Sequence, residues 1–216
     1  MAELVLCTAT DLYNILNQST KFSKLAEPNY LCLLDARSKR EYNESHIITA
    51  RRAKQEIDEF QPYPIEIIPG LLYMGDLRQA NDKNIRKDLK IKSYVNVSLE
   101  PTNLSLPSED AFHIPQPDSC DSDLLRFFPS ACQFIDSHMR ANCAVLVFSK
   151  LGISRSSVVV LAYVIHYRKC TLQEAWNHVL KCKTNMRPNQ GFVQQLSEWE
   201  KIILGHPLTD ISNPRF

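Results

Sequence analysis

Residues Cys143–Phe148 form an unbroken apolar run, and the chain changes character directly after it. An apolar run this short, with polar residues on both sides, is the pattern of a strand buried on both faces, as in the middle of a parallel sheet. It is followed by Ser149-Lys150-Leu151-Gly152-Ile153-Ser154-Arg155 and then by Ser156–Tyr167, a largely apolar stretch long enough for a buried helix. A central strand feeding a helix through a short loop commits the chain to a layered α/β architecture. The surrounding pattern agrees. Strands are expected at Leu71–Met74, Tyr94–Val97 and Phe112–Ile114, with a polar helical stretch around Asn84–Lys90. Further helices are expected over Leu124–Ala141, Leu172–Cys182 and Gly191–Leu204, the first of them disturbed by Pro129.

Upstream, Pro62, Pro64 and Pro69 fall within the segment Glu56–Pro69. Closely spaced prolines suppress helix and favour an extended linker or an edge segment. The expected organisation is an N-terminal segment 1–58, a linker 59–64, a main domain 65–206 and a C-terminal tail 207–216. In the N-terminal segment, Thr8 or Thr10 can cap a helix through Asp11–Gln18, and Tyr30–Leu34 reads as a buried strand. A turn at Ser38–Tyr42 and an apolar pair at Ile47–Ile48 follow.

Composition excludes several classes. The 25 basic and 24 acidic residues give a formal charge of +1, so no global charge drives binding to nucleic acid. No apolar run approaches the ~20 residues that cross a bilayer. Met1–Thr20 carries Glu3 and Asp11 and no basic residue, unlike a secretory signal or a transit peptide. The seven cysteines are scattered, with no C-x-x-C pair. They read as reduced thiols of a cytoplasmic or nuclear protein, with neither a metal site nor a disulfide framework. No cofactor is expected.

The loop Ser149–Arg155 carries the chemistry. A loop curling onto a helix N-terminus aims several backbone N–H groups at one point and adds the positive end of the helix dipole, which makes an anion site. Arg155 supplies a planar, bidentate donor suited to a phosphoryl group, and close approach of backbone to the anion accounts for Gly152. The phosphate-binding set is therefore Ser149, Lys150, Leu151, Gly152, Ile153, Ser154, Arg155 and Ser156. The alternative is an ordinary strand-to-helix turn with one surface arginine. Lys150 either strengthens the attraction for phosphate or simply faces solvent.

These residues lie in a wider pattern. Val147, Gly152, Ser154, Arg155 and Ser156, then Ala162-Tyr163, Ala175, Val179 and Arg187-Pro188-Asn189-Gln190-Gly191-Phe192, are in the register of the dual-specificity protein phosphatases. Ile68–Gly75, Val95–Ser98 and His113-Ile114-Pro115 with Asp118 extend the resemblance upstream. It implies a dual-specificity phosphatase-like fold, a central mixed sheet flanked by helices. It also places Ser149 at the position of the nucleophilic cysteine, Phe148 at that of the preceding histidine and Asp118 at that of the general acid. A phosphate loop can lower a cysteine pKa to roughly 3.5–7.5, whereas a hydroxyl starts far higher, nearer that of water, and no neighbouring base is evident. The chain thus resembles the STYX-like pseudophosphatases, which implies no catalytic residue and no enzyme activity. Asp118 is either a remnant acid or, as favoured here, a solvated loop carboxylate beside Asp121 and Asp123.

Leu33–Arg37, Tyr42, His46-Ile47 and Ala50-Arg51 resemble the start of a rhodanese-like domain, incomplete here. Arg37, Lys39, Arg40, Arg51, Arg52 and Lys54 either dock an acidic kinase surface or form a solvated face, the commoner case. The expected partners are phosphorylated proteins or kinase and phosphatase signalling proteins, bound by a monomer. Weak phosphatase activity through Ser149, and a scaffold acting through surfaces away from the loop, are the alternatives.

Overall fold

In the computed structural model the chain divides into two units, Met1–Pro62 and Tyr63–Phe216. The structure describes residues 34–45 and 50–52 of the first unit, and 63–101 and 107–212 of the second. The expected helix at Asp11–Gln18 and the pair Ile47–Ile48 lie outside the described residues, as does all of the expected strand at Tyr30–Leu34 except its last residue.

In the first unit, β1 (Leu34–Asp35) pairs in parallel with β2 (Arg51–Arg52), Leu34 opposite Arg51 and Asp35 opposite Arg52. Between them lies not the expected turn at Ser38–Tyr42 but a helix, α1 (Lys39–Glu44). Ser38 accepts from the Glu41 N–H while the Glu41 carboxylate accepts from the Ser38 N–H, a reciprocal cap that starts a helix where a turn was read. Two of the basic residues have acidic partners close by in the chain. Arg37 meets Asp35 at 2.6 Å and Arg40 meets Glu44 at 2.9 Å.

The second unit is built on a mixed sheet of five strands in the order β3-β4-β7-β5-β6. Its strands are β3 (Ile65–Ile68), β4 (Leu72–Asp76), β5 (Ile91–Asn96), β6 (Ala111–His113) and β7 (Ala144–Ser149). Only the β3–β4 pair is antiparallel, so β3 forms the edge that the prolines before it announce. Helices α2 (Leu77–Asn81) and α3 (Lys83–Asp88) connect β4 to β5, and α4 (Phe128–Arg140) leads to β7. After β7 come α5 (Arg155–Arg168), α6 (Leu172–Cys182) and α7 (Gln190–Leu204).

Side chains along β7 alternate between two cores. Val145 and Val147 belong to a large cluster with residues of α4, α5, α6 and α7. Ala144, Leu146 and Phe148 belong to a smaller one with Tyr73, Ala80, Ile85, Ile91 and Tyr94. Both faces are covered, which is why the strand reads as continuously apolar. Helix α5 is buried along Arg155–Ile165 because α4, α6 and α7 pack around it. Pro129 does not disturb α4. It sits in the first turn, where no intrahelical N–H is required, after a 3₁₀ turn at Leu125–Phe127.

A buried carboxylate ties the end of the unit together. Glu200 of α7 is fully buried and accepts from the N–H groups of Leu172, Leu208 and Thr209 and from the Thr209 hydroxyl. Burial alone would raise its pKa. The Thr209 hydroxyl and the three N–H groups outweigh that and hold it below the ordinary glutamate value.

Candidate phosphate site

Strand β7 delivers Ser149 to the C-terminal edge of the sheet, and α5 begins six residues later at Arg155. Pairing of β7 with β4 on one side and β5 on the other fixes the loop's starting point. The far limb of the loop is fixed from α6–α7, because the Arg187 N–H donates to the Ile153 carbonyl at 3.0 Å.

Gly152 has φ +67°, and a Cβ there would stand 2.7 Å from the Gly75 carbonyl oxygen and 3.1 Å from the Asp76 nitrogen. A left-handed turn pressed on β4 therefore requires the glycine, whatever the loop binds. Ser156 also departs from the expected role. It is fully buried beneath the loop, where its hydroxyl accepts from Ser149 Oγ at 3.1 Å.

The cavity at this edge has a volume of about 350 Å³. Of the expected residues it brings together Ser149, Lys150, Leu151, Ile153, Ser154 and Arg155, and it adds Asp118, Arg187 and Asn189. Lys150 does not act as a free cation there, since its ammonium meets the Glu100 carboxylate at 2.9 Å. That hydrogen bond holds the Glu100 carboxyl below its ordinary range. Arg155 is only 8% exposed. Its Nη1 donates to the Gln116 carbonyl at 2.9 Å, while its buried Nε has no hydrogen-bond partner.

Asp118 is exposed, as expected of a loop carboxylate, but it is not free of partners. Its Oδ1 accepts from Ser154 Oγ at 2.7 Å and from Asn189 Nδ2 at 3.2 Å, and its Oδ2 lies 3.7 Å from Arg155 Nε. The loop that carries it is clamped from α7. Gln195 Oε1 accepts from the N–H groups of Leu124 and Leu125, and its Nε2 donates to the Ser122 carbonyl. A Cβ on Gly191 would overlap the Cys120 carbonyl, so the start of α7 can lie this close only with glycine there.

Ser154 stands at the N-cap of α5 but makes no side-chain cap, because its hydroxyl is committed to Asp118. The first-turn N–H groups are thus left for an anion, beside a buried arginine with an unused donor. Arg187 is exposed and, among the described residues, its guanidinium makes no hydrogen bond or ion pair. The arrangement can hold a phosphoryl group. For attack on phosphorus, Ser149 Oγ would have to lose its proton, and its recorded partner is another hydroxyl. Sequence reasoning missed Arg187 and Asn189 as site residues, although the Arg187-Pro188-Asn189 segment was the available signal.

Residues 72–202 match the family model "Dual specificity phosphatase, catalytic domain". The chain is 39% identical over 146 residues to the dual specificity protein phosphatase Mpk3 of Drosophila melanogaster, covering 67% of this chain and 36% of that protein. It spans little more than a third of the length of the curated relatives it matches. Among solved structures, human DUSP28 superposes with a TM-score of 0.62 at 29% identity, over 67% of this chain and 97% of that one. The human tyrosine phosphatase-like serine/threonine/tyrosine-interacting protein superposes with a TM-score of 0.59 at 27% identity, over 67% and 99%. The relatives named as protein phosphatases point to an enzyme, and they overturn the expectation, drawn from Phe148 and Ser149, of a chain with no enzyme activity. By the match over its main domain, the chain belongs to the dual specificity phosphatase catalytic-domain family.

Proposed function

We propose that this domain captures phosphorylated signalling proteins of the MAP-kinase type by their phosphoryl group and so regulates phosphorylation signalling, with the intact partner released before it is hydrolysed. One observation carries the reading. The uncapped N-terminus of α5 and the buried, incompletely bonded Arg155 converge on a cavity whose floor residue is a neutral serine. A neutral hydroxyl does not repel a phosphate dianion as a thiolate would, but it is a poor nucleophile without a base. Hydrolysis through Ser149 is therefore slow relative to dissociation. The Phe148-Ser149 pair supports a place beside the STYX-like members, as does the likeness to a structure described as phosphatase-like and as serine/threonine/tyrosine-interacting. Residues 1–58, resembling the start of a rhodanese-like domain, would add contacts to the same partners.

The test is binding of a phosphotyrosine peptide by fluorescence anisotropy, with phosphate release from the same peptide measured in parallel. Saturable binding that Arg155→Ala abolishes, with release far slower than dissociation, is expected. Binding that survives Arg155→Ala, or release as fast as dissociation, would overturn the reading.

A further inference from the structure

We infer that Leu151 and Leu99 form an apolar rim that selects phosphorylated segments with apolar residues flanking the phosphorylated one. The inference rests on the phosphoryl-binding reading above and names the substrate class of that site.

Leu151 is 71% exposed although it lies in the phosphate loop and lines the cavity. Leu99, on the loop after β5, is 56% exposed. A single exposed leucine needs no explanation. These two sit on loops joined at their neighbours, because Lys150 Nζ meets Glu100 Oε1 at 2.9 Å. Lys150 and Glu100 neutralise each other, so the pair that stands next to both leucines in the chain is a spent one. Elsewhere in the same lining stand the polar side chains of Arg187 and Asn189.

A phosphoryl group seated on α5 and Arg155 must carry its own chain across this mouth, so the residues next to it pass over the rim. The occupant is therefore the bound segment itself. Covering a side chain as exposed as Leu151 with another apolar side chain is worth about tenfold in affinity.

The experiment uses the full chain and two phosphotyrosine peptides that differ only at the residues flanking the phosphotyrosine, leucine in one and serine in the other. Affinities are taken as the ratio between peptides within each variant, so a general loss of binding does not enter. The parent should prefer the leucine-flanked peptide by about tenfold. Leu151→Ser and Leu99→Ser should each lower that ratio, and the double variant should bring it near one. Both side chains are exposed, so neither substitution opens the core. Arg155→Ala should abolish binding of both peptides and of inorganic phosphate. A parent ratio near one, with both peptides still bound through Arg155, overturns the rim and leaves the phosphate site standing. A preference that persists in the double variant also overturns it. Absence of phosphate and peptide binding in the parent brings down the capture reading and the rim together.

Discussion

Ser154 Oγ donates to Asp118 Oδ1 at 2.7 Å, so the hydroxyl best placed to cap α5 serves a carboxylate instead. That carboxylate sits 3.7 Å from Arg155 Nε and competes with any bound anion for the same cation. Asp118 is partly exposed, which screens the competition without removing it. Asp118→Asn should therefore tighten inorganic phosphate binding by about three- to tenfold, a typical scale for one partly screened charge. Titration calorimetry with phosphate at constant ionic strength measures this. An unchanged or weaker affinity would show that Asp118 orders the loop more than it repels the ligand.

Arg155 should dominate the response to phosphate. A ligand that binds only the native state stabilises it by RT ln(1 + [L]/Kd), about 2.7 kcal/mol at ~100-fold excess over Kd. In thermal melts Arg155→Ala should lose most of the phosphate-dependent shift, and Arg187→Ala only part of it. Arg168→Ala, at the far end of α5, should keep the shift in full. Equal shifts in the parent and Arg155→Ala would remove the basis for a phosphate site.

Gly152 is held by a positive φ and by contact with the Gly75 backbone. Gly152→Ala should destabilise the domain by about 1–3 kcal/mol in urea denaturation, because both the left-handed strain and the displaced β4 backbone oppose it. It should also blunt the phosphate response. A stability within a few tenths of a kcal/mol of the parent would mean that the loop has another arrangement open to it.

The Glu200 cluster should add a buried carboxylate to the groups that set stability at acid pH. Its pKa is lowered in the folded state, so the stability it contributes is fully present above the unfolded value of about 4.3. That stability is lost as pH falls through the lower folded value. Glu200→Gln sets an amide N–H₂ among N–H donors and should cost about 1–3 kcal/mol near neutrality. The parent's steeper loss of stability at acid pH should shrink in the variant. Parallel stability–pH curves for the two proteins would assign the slope to other groups.

Local patterns were readable where one element satisfied itself. Cys143–Phe148 reads as a buried strand because the two cores claim alternate residues of β7, and Leu172–Cys182 is a helix with its cap at Thr171. The helix at Lys39–Glu44 is legible too, in the Ser38 and Glu41 spacing, although Ser38–Tyr42 taken alone has the pattern of a turn. The site was legible only in part. Asp118 finds Ser154 across 36 residues and Asn189 across 71, and no periodicity carries such pairings. Gly152 is legible as a loop glycine, but the constraint the structure shows on it is a second backbone, that of Gly75, brought there by the β4–β7 pairing.

Position 149 should set the rate at which a phosphoryl group bound on this loop is turned over. The hydroxyl starts far above neutrality, while a thiol on the same loop would fall into roughly the 3.5–7.5 range. Ser149→Cys alone should therefore raise phosphate release from an aryl phosphate by about tenfold or more over the parent. The isosteric change leaves the contact with Ser156 within reach. Phe148→His is a different matter. Phe148 is fully buried against Tyr94, edge to face with centroids 6.3 Å apart. An imidazole there exchanges apolar contact for a polar group and should cost about 1–3 kcal/mol of stability. The Tyr94 hydroxyl, buried without a hydrogen-bond partner, is a candidate to offset some of that cost. The double variant should then release phosphate faster than Ser149→Cys alone while melting at a lower temperature than either parent or single variant. A Ser149→Cys protein no faster than the parent, but still stabilised by phosphate through Arg155, would show that the loop holds phosphorus out of line with residue 149, and that its chemistry is limited by geometry rather than by the pKa of the nucleophile.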